Sequence, residues 1–69
     1  MKTLGEQIKE RRKLLKVTQR QLVALSGVSI NTLTKIERNE ANPRLKTLES
    51  ILDTLGLNLT AEVKTIDQL

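Results

Sequence analysis

Residues 18–37 read T-Q-R-Q-L-V-A-L-S-G-V-S-I-N-T-L-T-K-I-E, and this stretch decides the fold. Thr18 can cap a first helix, because a threonine oxygen accepts from the free backbone N–H groups of a first turn. Leu22 and Leu25 lie three apart, and Leu22 and Ser26 four, which assigns them to one helical face. Gly27 stands where the chain must turn sharply, and only glycine adopts a left-handed conformation there at no steric cost. Ser29 can cap a second helix whose apolar side is Leu33 and Ile36. The other side, Ser29, Ile30, Asn31, Thr34, Lys35 and Arg38, has no long apolar run, and no acid precedes Glu37 within the stretch. A short helix with one polar, donor-rich face is shaped to lie in a DNA major groove.

Upstream, residues 4–16 are expected to form another helix. Leu4, Ile8, Arg11 or Arg12, and Leu15 step at helical intervals, leaving Lys9, Lys13 and Lys16 outward. An arginine within an apolar stripe is anomalous, since a buried charge is costly unless paired. One of the two arginines is therefore expected to reach an acid, and Glu37 is the best placed. Downstream, Asn39 suits a left-handed helix end and Pro43 cannot continue a helix, so residues 38–43 form a loop. Residues 45–55 carry Leu45, Leu48, Ile51, Leu52 and Leu55 as an apolar stripe, and Gly56 ends the helix.

After Gly56 the period changes from 3.6 to 2. Leu57, Leu59, Ala61 and Val63 alternate with Asn58, Thr60, Glu62 and Lys64, the pattern of a half-buried strand. Nothing else in the chain alternates in this way. A lone strand leaves a row of unpaired backbone groups, and pairing with the same strand of a second copy about a two-fold axis would satisfy them. The alternative is an extended tail packed on its own domain. The organisation expected is thus a helical domain at 1–56, a dimerisation strand at 57–64 and a tail without readable period at 65–69.

Composition narrows the function. The 69 residues contain no Cys, no His and no aromatic residue. Disulfides, thiolate metal sites and the commonest general base are therefore unavailable, and no paired carboxylates stand in a pocket-forming context, so no enzyme, metal or cofactor is expected. A chain this small supplies only about 3–5 kcal/mol from a single core, so oligomerisation is the remaining way to add buried area. No apolar run approaches the roughly 18–20 residues of a membrane span, and the opening residues lack the apolar stretch of a secretory signal, so a soluble, cytoplasmic chain is expected. Residues 1–20 hold seven basic groups against Glu6 and Glu10. Such a basic half attracts a polyanion, although lysine and arginine also serve simply as solvated helix formers.

Residues 4–63 resemble the Cro/CI-type helix-turn-helix family, the XRE class of bacterial and phage regulators. The matching positions are Arg12, Thr18-Gln19, Leu22, Ser26-Gly27-Val28-Ser29, Leu33, Ile36-Glu37, Asn42-Pro43, Leu48 and Leu55-Gly56-Leu57. The resemblance implies an all-α, lambda-repressor-like domain of four to five helices, here with one C-terminal strand pairing across a dimer. The ending L-G-L-N-L-T-A-E-V-K is similar to antitoxin members of HipA/HipB-type toxin–antitoxin pairs, which implies a two-fold dimer that binds its own operator and a kinase-like toxin. By position, the resemblance implies backbone contacts from Thr18, Gln19, Arg38 and Arg44, and base contacts from Ser29, Ile30, Asn31, Thr34 and Lys35. It also implies a structural ion pair between Arg12 and Glu37, and a dimer interface at Leu57, Leu59, Ala61 and Val63.

The chemistry of these side chains fits those roles unequally. Asn31 can bond adenine bidentately, Lys35 can reach guanine or a phosphate, and Ile30 can pack on a thymine methyl or turn toward the core. Three departures from the family pattern stand out. Val23 replaces a preferred Ala where the two motif helices cross, which should widen or tilt that contact. Lys16 and Asn39 occupy positions often held by Gly, suggesting left-handed residues strained by about 1 kcal/mol each. Arg44 replaces a short capping residue, so the last helix lacks a good cap unless Asn42 supplies one.

The function expected is a sequence-specific repressor acting as a homodimer on a palindromic operator, as the antitoxin of such a pair. The alternatives are a module whose main task is to inhibit the toxin, and a free-standing phage-type repressor.

Overall fold

The computed structural model describes residues 2–60. Four helices follow in order: α1 (Leu4–Leu14), α2 (Gln19–Ser26), α3 (Ile30–Glu37) and α4 (Leu45–Thr54). α1 packs on α3, and α2 contacts both α3 and α4.

Local chemistry starts and stops most of these helices. Thr3 caps α1 in a capping box, with its hydroxyl accepting from Glu6 N–H at 3.2 Å and its own N–H donating to Glu6 Oε2 at 3.3 Å. Thr18 and Gln21 form the same box at α2, at 3.0 and 2.8 Å. Ser29 caps α3 through Thr32 N–H at 3.1 Å. Arg44 occupies the N-cap of α4 and makes no side-chain cap, so neither it nor Asn42 fills that role. α1 ends at Leu14, two residues before the expected Lys16, because Lys16 enters the left-handed region at φ 58°.

Three helices stop in one and the same way. Lys16 N–H donates to Lys13 O and Val17 N–H to Arg12 O, both at 3.0 Å. Asn39 and Glu40 repeat the pattern on α3, and Gly56 and Leu57 on α4. This is the Schellman motif, which satisfies the orphan carbonyls of a last turn and needs a left-handed residue at its pivot. The pivots are Lys16, Asn39 and Gly56, at φ 58°, 62° and 70°. α2 ends instead at Gly27, with φ 76°.

The core is aliphatic: Ile8, Leu22, Leu33, Ile36, Ile51, Leu52 and Leu55 are buried, with Leu4, Val17, Val23, Val28, Leu48 and Leu57 packed around them. Three leucines expected inside lie outside. Leu25 is 72% exposed. At about 100° per residue, Leu22, Ser26 and Val23 span one arc, and Leu25 falls about 60° beyond Leu22 on the solvent side. Leu45 is 58% exposed at the first position of α4, one turn short of its neighbours, and Leu15 is exposed because the helix has already ended. Gly5 permits a close approach of α1 to the end of α3. A Cβ there would overlap Ile36 O and come within 2.7 Å of Asn39 Oδ1 and 3.0 Å of Glu37 O.

Among the described residues there is no strand. The first four positions of the expected strand, residues 57–60, are irregular. Leu57 N–H is already committed to Leu52 O at 2.8 Å, and its side chain packs on its own core rather than across a dimer. Leu59 is exposed, while Ala61, Val63 and the tail at 65–69 lie outside the described residues. No helix among the described residues is long and apolar enough to cross a membrane.

Candidate nucleic-acid interface

α3 divides cleanly in cross-section. Leu33, Ile36 and Glu37 are buried. At about 100° per residue, Ile30, Thr34, Arg38, Asn31 and Lys35 share the opposite arc of about 140°. Asn31, Lys35 and Arg38 are exposed, Thr34 is half-buried and Ile30 is 41% exposed. Ile30 therefore faces outward and is not tucked into the core. Ser29 is exposed too, but its hydroxyl accepts from Thr32 N–H and donates to Thr32 Oγ1 at 2.8 Å. It keeps one acceptor lone pair.

Beneath this arc lies the Arg12–Glu37 pair. Arg12 Nε donates to Glu37 Oε2 at 2.8 Å and Arg12 Nη2 to Glu37 Oε1 at 3.1 Å. Such a two-point contact uses the guanidinium fork fully and fixes its plane. The residues are 8% and 7% exposed, so both charges are removed from water and depend on one another. Arg12 Nη1 also donates to Val17 O at 3.0 Å, which ties the pair to the end of α1. The neighbouring Arg11 does something else: its Nε donates to Leu55 O at 2.9 Å, at the carbonyl end of α4.

Gln19 is the residue whose surroundings the sequence suggested least. Its Nε2 donates to Glu37 Oε1 at 3.1 Å. Its amide oxygen and second amide hydrogen stay available, and the first N–H groups of α2 point out of the helix end. Thr18 has spent its backbone N–H on Gln21, leaving its hydroxyl hydrogen to donate. Arg44 is exposed at the start of α4.

A concavity of about 240 Å³ joins these parts, lined by Lys9, Arg12, Lys13, Gln19, Thr34, Glu37 and Arg38. Thr34 and Arg38 belong to the outward arc of α3, so the hollow continues that face onto α1. Lys9 and Lys13 of α1 thus stand beside the outward arc of α3, which a reading of α1 by itself gives no way to see. Among the described residues the salt bridges are Arg12–Glu37 and Lys2–Glu10, and neither involves Lys9, Lys13 or Arg38.

Two capped helices about a left-handed glycine, with a polar outward arc on the second, define a helix-turn-helix unit. Residues 8–61 match the helix-turn-helix family model, and the chain belongs to that family, in its XRE-type branch. Over 61 residues it is 43% identical to an immunity repressor protein of Bacillus phage phi105, covering 88% of this chain and 42% of that protein. Over 49 residues it is 41% identical to an uncharacterized HTH-type transcriptional regulator of Haemophilus influenzae, covering 71% of this chain and 50% of that protein. The chain spans about half the length of the curated relatives it matches.

Proposed function

We propose that the chain is a sequence-specific DNA-binding repressor of the phage-immunity type, acting in the cytoplasm as a homodimer on a palindromic operator. The observation that carries this reading is the outward arc of α3, five side chains that the core does not use. In this reading Asn31 reads adenine, Lys35 reads guanine, Ile30 packs on a thymine methyl, and Thr34 and the free lone pair of Ser29 complete the base-facing set. Thr18, Gln19, Arg38 and Arg44 hold the backbone and set the register. Two copies would place their α3 helices about one helical turn, ~34 Å, apart. The similarity to an immunity repressor supports repression.

Selection of bound duplexes from a random pool tests the symmetry, and a palindrome with one-turn spacing is expected. Asn31→Ala should then cost about 1–3 kcal/mol at one base pair of the selected site and leave other sequences unaffected. Gln19→Ala should weaken all duplexes alike. An unchanged ratio of operator to random affinity in Asn31→Ala would remove the assigned readout.

A second reading, an antitoxin that restrains a HipA-like kinase, is favoured by one observation, the alternating pattern at 57–64. Co-purification with such a kinase encoded next to it would support this reading.

A further inference from the structure

We propose that α1 is a third element of the DNA interface: Lys9 and Lys13, together with Arg38, hold a single backbone phosphodiester over the hollow between α1 and α3. The inference rests on the DNA-binding reading and extends it to a helix that has no part in it so far.

Lys9 and Lys13 are four apart on α1 and share a face, one turn above the other. Both line the concavity with Arg38, and all three are exposed. The one carboxylate in the lining is Glu37, and Arg12 and Gln19 already engage it. The floor of the hollow is therefore close to neutral, while its rim carries three cations that form no salt bridge among the described residues. Solvated cations ordinarily spread apart, because like charges converging on one hollow repel each other. Here three of them line one hollow, and an anion over it would relieve that repulsion. The anion expected is a phosphodiester of the duplex that α3 enters, because Thr34 and Arg38 belong to both the hollow and the outward arc. Lysine and arginine are the side chains that neutralise backbone phosphates and release their counterions.

The salt dependence of binding counts the phosphates held. Each one neutralised contributes about 0.9 to the slope of log K against log salt concentration. Binding of a fluorescent duplex would be followed by anisotropy between about 50 and 200 mM KCl for the wild type, for Arg38→Gln, in which the two lysines should keep most of the slope, and for the triple variant Lys9→Gln/Lys13→Gln/Arg38→Gln. With one phosphate held by each half of the proposed dimer, the expected result for the triple variant is a slope smaller by about 1.8, with operator and random duplex losing affinity by the same factor. Lys16→Gln, which removes a cation outside the hollow, should keep the wild-type slope. A fall of about 3.6 or 5.4 would mean separate phosphates and overturn the shared site, as would no fall, a fall matched by Lys16→Gln, or a fall already complete in Arg38→Gln alone. All three positions are exposed, and circular dichroism should show the same helix content in every variant. A wild-type chain that binds no duplex would overturn the DNA-binding reading itself, and this proposal with it. Wild-type binding with an unchanged slope in the triple variant would overturn this proposal alone.

Discussion

Changing Glu37 to Gln keeps the shape of the side chain and removes its charge, which isolates what the buried pair contributes. Glu37 accepts two hydrogen bonds from Arg12 and one from Gln19. A glutamine has one acceptor oxygen, and in either orientation its amide hydrogens face an Arg12 donor, Nε on one side or Nη2 together with the Gln19 amide on the other. Arg12 would then be a cation 8% exposed with no counter-charge. Removing one partner of a buried pair costs about 3–5 kcal/mol. A core in a chain of this size supplies about the same. Glu37→Gln should therefore sit near its unfolding midpoint in buffer at room temperature, with about half of the molecules unfolded.

The double variant Arg12→Met/Glu37→Leu separates this loss from a need for the residues themselves. Apolar replacement of a whole buried pair is often neutral. Here, however, Val17 O loses its donor from Arg12, and an unsatisfied carbonyl costs about 1–3 kcal/mol. The double variant should thus be about 1–3 kcal/mol below wild type and more stable than Glu37→Gln alone. Urea denaturation followed by far-ultraviolet circular dichroism measures all three. If Glu37→Gln stays within about 1 kcal/mol of wild type, or the double variant is less stable than the single, the charge argument drawn from the general behaviour of buried pairs fails.

Two further outcomes are expected. Gly5→Ala, which in an isolated helix gains about 0.5–1 kcal/mol, should instead destabilise by about 1–3 kcal/mol, because the added methyl meets the backbone oxygens of Ile36 and Glu37. A melting temperature lowered by several degrees is the expected reading, and a raised one would contradict the close approach of α1 to α3. In the proposed homodimer, Leu59→Lys should leave the circular dichroism spectrum intact, since Leu59 is exposed, and should shift sedimentation from dimer to monomer. A wild-type monomer at high micromolar concentration would remove the tail from the assembly.

What could be read from the sequence was the chemistry confined to a few neighbouring residues. Thr18, Ser29 and Gly27 cap and turn through hydrogen bonds within four positions, so residue type suffices to place them. The left-handed conformation of Asn39 was legible because a helix has to stop there, whereas that of Lys16, in a stretch otherwise read as helix, followed only from the family pattern of glycine at that position. The link between Arg12 and Glu37 could be anticipated across 25 positions because an arginine interrupts an apolar stripe, and an interrupted stripe demands a partner. Other features depend on which neighbour lies against which side. Leu25 is three residues from a core leucine and still outside, since the arc shared by Leu22, Val23 and Ser26 turns the other way. Gly5 looks like an ordinary glycine until the end of α3 is set against it. The apolar stripe alone left Arg11 and Arg12 open and the family resemblance chose Arg12; the physical reason is that the last carbonyls of α4 lie next to Arg11 and Glu37 next to Arg12. Gln19, suited by type to a phosphate, is also held by Glu37, a contact that exists only once α2 and α3 are packed.

The division of α3 into a buried arc and an outward arc has a consequence for how such a chain can change. Its outward residues, Ile30, Asn31, Thr34, Lys35 and Arg38, contribute no member of the buried core, while the angle of the helix is held from behind by Leu33, Ile36 and the carboxylate of Glu37. In the proposed readout, preference for one sequence over another and the ability to fold are thereby written on different atoms. A library varied at those five positions alone should consist mostly of folded proteins, and a lineage can drift from one recognition sequence to another through intermediates that are all intact.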